Sequence, residues 1–151
     1  MQLELPNNSQ VLDLGTGTGA IALALASEYP QWQMTAVDVQ ASAVELAEQN
    51  RLACRLKNVT IYQSDWFAAV ANRQPQTLFN LIVSNPPYIE SAAIAGLMPE
   101  VARHEPASAL DGGADGLGAY RHIVAELPRL LAPHGVAVLE LGQGQQAAVE
   151  A

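Results

Sequence analysis

Short apolar runs alternate along this chain with longer stretches rich in Ala and Leu, the two periods expected of strands and helices. Val11-Leu12-Asp13-Leu14 reads as a strand that ends at the glycines of Gly15-Thr16-Gly17-Thr18-Gly19. Residues 20–29 read as a helix stopped before Pro30, because a residue preceding proline is pushed out of helical geometry. A second strand is expected over 32–37, closed by Asp38, then a helix over 40–56 with Val44, Ala47 and Leu52 along one side. A third strand follows over 59–63, and a fourth over 78–84. The fourth is nearly all apolar, as a strand covered on both faces would be. From Asn85 to about Gly116 periodicity is weak and Pro, Gly and small residues are frequent. Connections of that length commonly carry function. A helix is expected over 117–131, kinked by Pro128, then a turn at Pro133-His134-Gly135 and a fifth strand over 136–141. Strand–helix alternation predicts a single domain with an open, doubly wound α/β fold, right-handed crossovers and a mainly parallel sheet.

Composition narrows the functions available to such a fold. The chain has 151 residues, half of them hydrophobic and 15% charged, which suits one packed core rather than a disordered segment. Fifteen acidic residues against 7 basic ones give a net charge of -8. That balance disfavours bulk attraction to nucleic acid or an anionic membrane, both of which want clustered Lys and Arg. One cysteine, Cys54, rules out an internal disulfide and suits a reducing cytoplasm. The apolar stretch 20–26 falls far short of the roughly 18 residues of a membrane span, and the polar start shows no signal peptide.

The glycine-rich turn between the first strand and helix is the first candidate site. Glycines let the backbone turn sharply and approach a ligand, and the helix N-terminus adds unpaired N–H groups and partial positive charge. Gly15, Thr16, Gly17, Thr18 and Gly19 are therefore expected to bind a cofactor. Gly15, Gly17 and Ala20 also fit the G-x-G-x-x-G/A dinucleotide pattern, which keeps a nicotinamide or flavin cofactor open. Asp13, two residues before Gly15, would repel a pyrophosphate but attract an ammonium or sulfonium group. S-adenosylmethionine offers both that cation and a carboxylate for the helix end. Asp38, at the end of the second strand, is where a carboxylate accepts ribose hydroxyls, for either cofactor. Asp65 and Trp66 follow the third strand, where a carboxylate or ring could meet an adenine.

The fourth strand ends in Ser84-Asn85-Pro86-Pro87-Tyr88. Asn85 offers an acceptor and a donor in one planar group, Pro86 and Pro87 fix the backbone and lack N–H, and Tyr88 offers a face for stacking. Together they suit a planar amine or amide, with acceptors for its two protons and a ring against its face. Such an acceptor nitrogen needs positioning and polarisation rather than a side-chain nucleophile. Asn85, Pro86 and Tyr88 are the candidate catalytic residues, and Asn85, Pro86, Pro87 and Tyr88 the candidate substrate contacts, with Asn85 also beside the cofactor.

In this order, VLDLGTGTG, Asp38, SDW and NPPY resemble the class I S-adenosylmethionine-dependent methyltransferases that act on amino nitrogens. Residues 11–90, followed by HEPASALDGGADGLGAYRHI, resemble more narrowly the peptide chain release factor glutamine N5-methyltransferases. The resemblance implies a Rossmann-like class I methyltransferase fold, S-adenosyl-L-methionine as cofactor, and methylation of the glutamine side-chain amide in a release factor's Gly-Gly-Gln motif. It places the enzyme in the cytoplasm, with a release factor as its partner. NPPY is shared with DNA adenine and RNA guanine methyltransferases, so a nucleic-acid amino-methyltransferase is the first alternative and a non-catalytic cofactor-binding fragment the second. The resemblance also implies parts not found here: an N-terminal helical domain before residue 1 and a C-terminal strand pair after residue 151. A truncated core of this kind would leave the fifth strand unpaired, a route to self-association through the sheet edge.

Other chemistries find little footing. His104, His122 and His134 lack metal-ligand spacing, so no metal site is expected. Cys54 reads as a packing residue within the second helix, and Asp111 and Asp115 as turn or cap residues.

Overall fold

The computed structural model describes residues 5–71, 77–96 and 107–150. Its elements run β1 (Gln10–Leu14), α1 (Ala20–Glu28), β2 (Gln33–Asp38), α2 (Ala41–Ala53), β3 (Val59–Gln63), α3 (Ala68–Ala71) and β4 (Phe79–Ser84). After these come α4 (Ser91–Ile94), α5 (Ala107–Leu110), α6 (Gly118–Leu130), β5 (Leu131–Leu139) and α7 (Gln146–Glu150). The strands form one sheet in the order β3-β2-β1-β4-β5, so the chain starts at the centre, works outward to one side and crosses back, as the expected doubly wound fold requires.

Strands β3, β2, β1 and β4 pair in parallel, and their register sets the site. Leu14 pairs with Val37 and with Ser84, and Val37 pairs with Tyr62, so all four carboxyl ends lie level along one edge. Alternation then sorts the side chains. Val11, Met34, Ala36, Val59, Leu81 and Val83 pack with Ala22, Leu23 and Ala26 of α1. Leu12, Leu14, Val37 and Ile82 are buried as well, so the central strands are covered on both faces and read as continuous apolar runs. The chain divides into two compact units, Met1–Ser84 with Leu127–Val138 and Asn85–Glu126 with Leu139–Ala151. Among the described residues no helix is long and apolar enough to cross a membrane.

Three expectations are corrected. Helix α2 buries Ala47 but leaves Leu52 60% exposed, because five residues turn a helix well off the face that Ala47 marks. Cys54 follows the helix rather than lying in it and is exposed, so it does not pack. Strand β5 begins at Leu131 and ends at Leu139, taking in the Pro133-His134-Gly135 turn, with His134 at φ 64°. An edge strand tolerates a proline that a central one would not. Gly135 lets it lie close to β4, since a Cβ there would come within 2.8 Å of the Phe79 carbonyl oxygen.

Candidate functional site

At the carboxyl edge of the first unit, the turn after β1 is held by the ends of its neighbours. Gly15 and Thr16 donate their N–H groups to the Val37 carbonyl, both at 2.9 Å. Asp38 takes the next N–H, from Gly17 to Oδ2 at 2.9 Å, while its Oδ1 accepts from Gln40 N–H at 2.9 Å. The Asn50 amide of α2 donates to the Thr18 carbonyl at 2.9 Å, a support no local pattern announced. Gly15, Gly17 and Gly19 all have positive φ, but they differ in surroundings. A Cβ on Gly19 would press on Leu23 and Ala47, so that glycine lets α1 begin close against α2. Gly15 and Gly17 face open space within 4 Å, which leaves bare backbone available to a ligand.

Asp13 does something the sequence did not suggest. It lies on the face of β1 that meets α1, and it is 1% exposed. Its Oδ2 accepts from the Thr16 hydroxyl at 2.7 Å and from Ala22 N–H at 3.2 Å, so it caps the third residue of α1 from outside the helix. Its Oδ1 is buried without a partner. Burial pushes the carboxyl up to about 6, against the lowering effect of those two hydrogen bonds. The residue expected to face a ligand's cation thus spends one oxygen on the loop and keeps one acceptor in reserve.

After β3, the backbone of Ser64 donates to the Asp38 carbonyl at 2.9 Å. Its hydroxyl donates to the Trp66 carbonyl and accepts from Ala69 N–H, both at 2.9 Å. That clasp holds Trp66 at φ 46°, a left-handed conformation a bulky residue adopts only when its surroundings enforce it. Asp65 is exposed beside it and Trp66 is half-buried. Asp13, the glycine turn, Asp38, Asp65 and Trp66 therefore share one edge of one unit.

Asn85 to Tyr88 open the second unit. Asn85 is exposed, Pro86 is fully buried, and Pro87 and Tyr88 are half-buried. The DGGADG run packs around Tyr88. Ile89 bridges to Asp111, with Ile89 N–H donating to the Leu110 carbonyl at 3.0 Å and Gly112 N–H returning to Ile89 at 2.8 Å. Glycine is required there. A Cβ on Gly112 would lie 2.8 Å from Tyr88 Cα, and one on Gly116, which has φ +71°, 2.5 Å from the Tyr88 carbonyl oxygen.

Asp111 and Asp115 are turn organisers, as expected. Asp111 accepts from the Ser91 hydroxyl (2.6 Å) and Gly113 N–H (2.9 Å), which together hold its carboxyl below the usual range. Asp115 accepts from Leu117 N–H at 3.1 Å and forms a paired contact with Arg121 at 3.0 and 2.6 Å; Arg121, first among the causes, holds its carboxyl down at about 2. His122 and His134 are exposed, and His104 lies outside the described residues.

The methyltransferase small domain family matches residues 1–114. The chain belongs to that family. Among curated relatives, the release factor glutamine methyltransferase of Rhodospirillum rubrum is 51% identical over 137 residues, covering 90% of this chain and 41% of the relative. That of Shewanella oneidensis is 49% identical over 142 residues, covering 94% and 48%. The chain thus spans less than half the length of these two relatives. PKMT2 from Rickettsia typhi, solved in complex with AdoHcy, superposes with a TM-score of 0.58 at 22% identity, over 90% of this chain and 21% of that one, and shares the fold. Membership in the methyltransferase small domain family decides between the readings the glycine turn left open, against a nicotinamide or flavin enzyme. The structure adds a feature the sequence did not single out. Tyr88 is held by residues more than fifty positions away, Glu140 and Gln145, which follow β5 and carry no motif of their own.

Proposed function

We propose that this chain is the catalytic core of a cytoplasmic, S-adenosylmethionine-dependent methyltransferase that modifies the glutamine side-chain amide of a release factor's Gly-Gly-Gln motif. The observation that carries the reading is near-50% identity to release factor glutamine methyltransferases along at least nine-tenths of the chain. The cofactor fits the residues present. Gly15 and Gly17 leave uncovered backbone, the buried Oδ1 of Asp13 lacks a donor, and Asp38 stands at the strand end suited to a ribose. When bound, S-adenosylmethionine supplies an electrophilic methyl group on a sulfonium.

The chain's own residues do the rest by position. Asp13 keeps a carboxylate next to the helix start and above about pH 6 holds it charged, the state that attracts a cationic ligand group. In the second unit the buried Pro86 fixes the backbone after Asn85, so the exposed Asn85 amide presents its oxygen to an incoming N–H. Acceptors on both protons of an amide keep electron density on its nitrogen, and a ring against its face fixes its plane.

Calorimetry with S-adenosylmethionine, S-adenosylhomocysteine and NAD, followed by mass spectrometry of a release factor incubated with chain and cofactor, tests the reading. Binding of both sulfur compounds and one added methyl on the motif glutamine are expected. Binding of NAD alone would sink the cofactor assignment, and methylation of DNA or RNA without the release factor would replace the substrate. Strand β5, at the sheet edge, supports self-association as a further property. Light scattering that shows a monodisperse monomer across concentrations would remove it.

A further inference from the structure

We propose that residues 140–145, Glu-Leu-Gly-Gln-Gly-Gln, form a positioning frame for Tyr88, with Gln145 fixing its backbone and Glu140 its hydroxyl. The inference rests on the reading of Asn85–Tyr88 as the acceptor clamp. Both the frame and the tyrosine belong to the second unit.

Gln145 uses both ends of its amide. Its Nε2 donates to the Tyr88 carbonyl at 2.9 Å and to the Gly116 carbonyl at 3.4 Å, and its Oε1 accepts from Gly142 N–H at 3.1 Å. At the far end of the side chain, the Tyr88 hydroxyl donates to Glu140 Oε1 at 3.3 Å. Burial and then the Glu140 carboxylate push the Tyr88 phenol up, so it stays the donor in this pair. Between those ends, Gly142 admits the ring edge: a Cβ there would lie 2.9 Å from Tyr88 Cδ2. Tyr120 braces the frame, its hydroxyl donating to the Glu140 carbonyl at 2.9 Å and accepting from Gly142 N–H at 3.3 Å. One short segment therefore grips Tyr88 at its carbonyl, its ring edge and its hydroxyl.

A ring fixed at three points has little freedom to tilt, and an acceptor amide stacked on it inherits that order. Loss of alignment by about an ångström lowers turnover roughly 100-fold. Neither Gln145 nor Glu140 needs to touch the acceptor to produce the effect; both act through Tyr88.

The test uses Gln145→Met, which keeps length but cannot donate to the carbonyl, and Glu140→Gln, which keeps shape and removes charge. The four tyrosines are labelled with 3-fluorotyrosine, and the Tyr88 resonance is assigned by its loss in Tyr88→Phe. In Gln145→Met the Tyr88 signal shifts and broadens while those of Tyr29 and Tyr62 stay. Turnover of the release factor then falls about 10- to 100-fold, with S-adenosylmethionine affinity within about twofold of the parent. Glu140→Gln lowers turnover several-fold in the parent chain and has no further effect in Tyr88→Phe, a coupling that general loss of stability would not produce. A Tyr88 signal unmoved in both variants overturns the frame, as does unchanged turnover of Gln145→Met in a chain that methylates. A shifted signal in a chain that methylates no release factor sustains the frame and overturns only the substrate reading.

Discussion

The turn at residues 15–19 and the segment at residues 85–88 are both rigid stretches that follow a strand, yet they are held in opposite ways. The turn is held mainly by strand ends: Val37, Asp38 and Asp13 lie in the two adjoining strands and bond its backbone or its one buried hydroxyl, with Asn50 of α2 adding one bond to Thr18. Tyr88 is held by glycines 24 and 28 positions on, and by Glu140 and Gln145, which lie 52 and 57 positions on. A turn built against strand ends comes nearly free with the sheet. Tyr88 has to be fixed by parts the sheet does not align.

The comparison is testable first at the clamp. Asn85→Ala should lower methyl transfer by at least about 100-fold, the scale of losing one aligned hydrogen-bonding group at a reacting centre, with cofactor affinity nearly unchanged. Equal losses in binding and turnover, read by calorimetry and a single-turnover assay, would erase the division of labour. Next come two glycines of matched backbone, Gly15 at φ 70° and Gly116 at φ 71°. Gly15→Ala meets open space and should cost about 1 kcal/mol of stability from conformation alone. Gly116→Ala also drives a Cβ into the Tyr88 carbonyl and should cost about 3 kcal/mol in denaturant titration. Equal costs would mean that the packing around Tyr88 yields.

The buried carboxyl gives a third test, of comparable or smaller size. Asp13 binds its proton more tightly folded, at about 6, than at its ordinary 3.8, so between about pH 4 and pH 6 the folded chain holds more protons than the unfolded one. Its contribution to stability therefore falls as pH rises through that window and stays low above it. The difference in unfolding free energy between the parent chain and Asp13→Asn should shift by up to about 3 kcal/mol from pH 4 to pH 7. A flat difference would mean the carboxylate is solvated. The smallest effect belongs to the surface: Asp115→Asn removes an exposed pair with Arg121 and should move the melting temperature by no more than about 2 °C.

What the sequence made legible follows the same division. The strand–helix alternation, the glycine turn and the place of Asp38 at a strand end depend on local residues, where period and turn chemistry speak directly. Leu52 misled because a hydrophobic residue near a helical face is not on it, and Pro133 because turn residues also occur in edge strands. Asp13 was read for its charge, whereas its burial and its bond to Ala22 N–H depend on where α1 begins in space. Gln145 and Glu140 had no periodic signal, since an amide aimed at a main-chain carbonyl leaves no periodicity. The run LGQGQ, with its paired glycines, was the one hint that backbone there approaches something closely.

Asp38 carries one last implication. Its two oxygens clasp Gly17 and Gln40, so the carboxylate stitches together the starts of two successive crossovers. A replacement that lacks both acceptor oxygens unpicks that stitch. Any redesign at Asp38 is therefore a matter of rebuilding a joint, with new acceptors supplied for the Gly17 and Gln40 N–H groups.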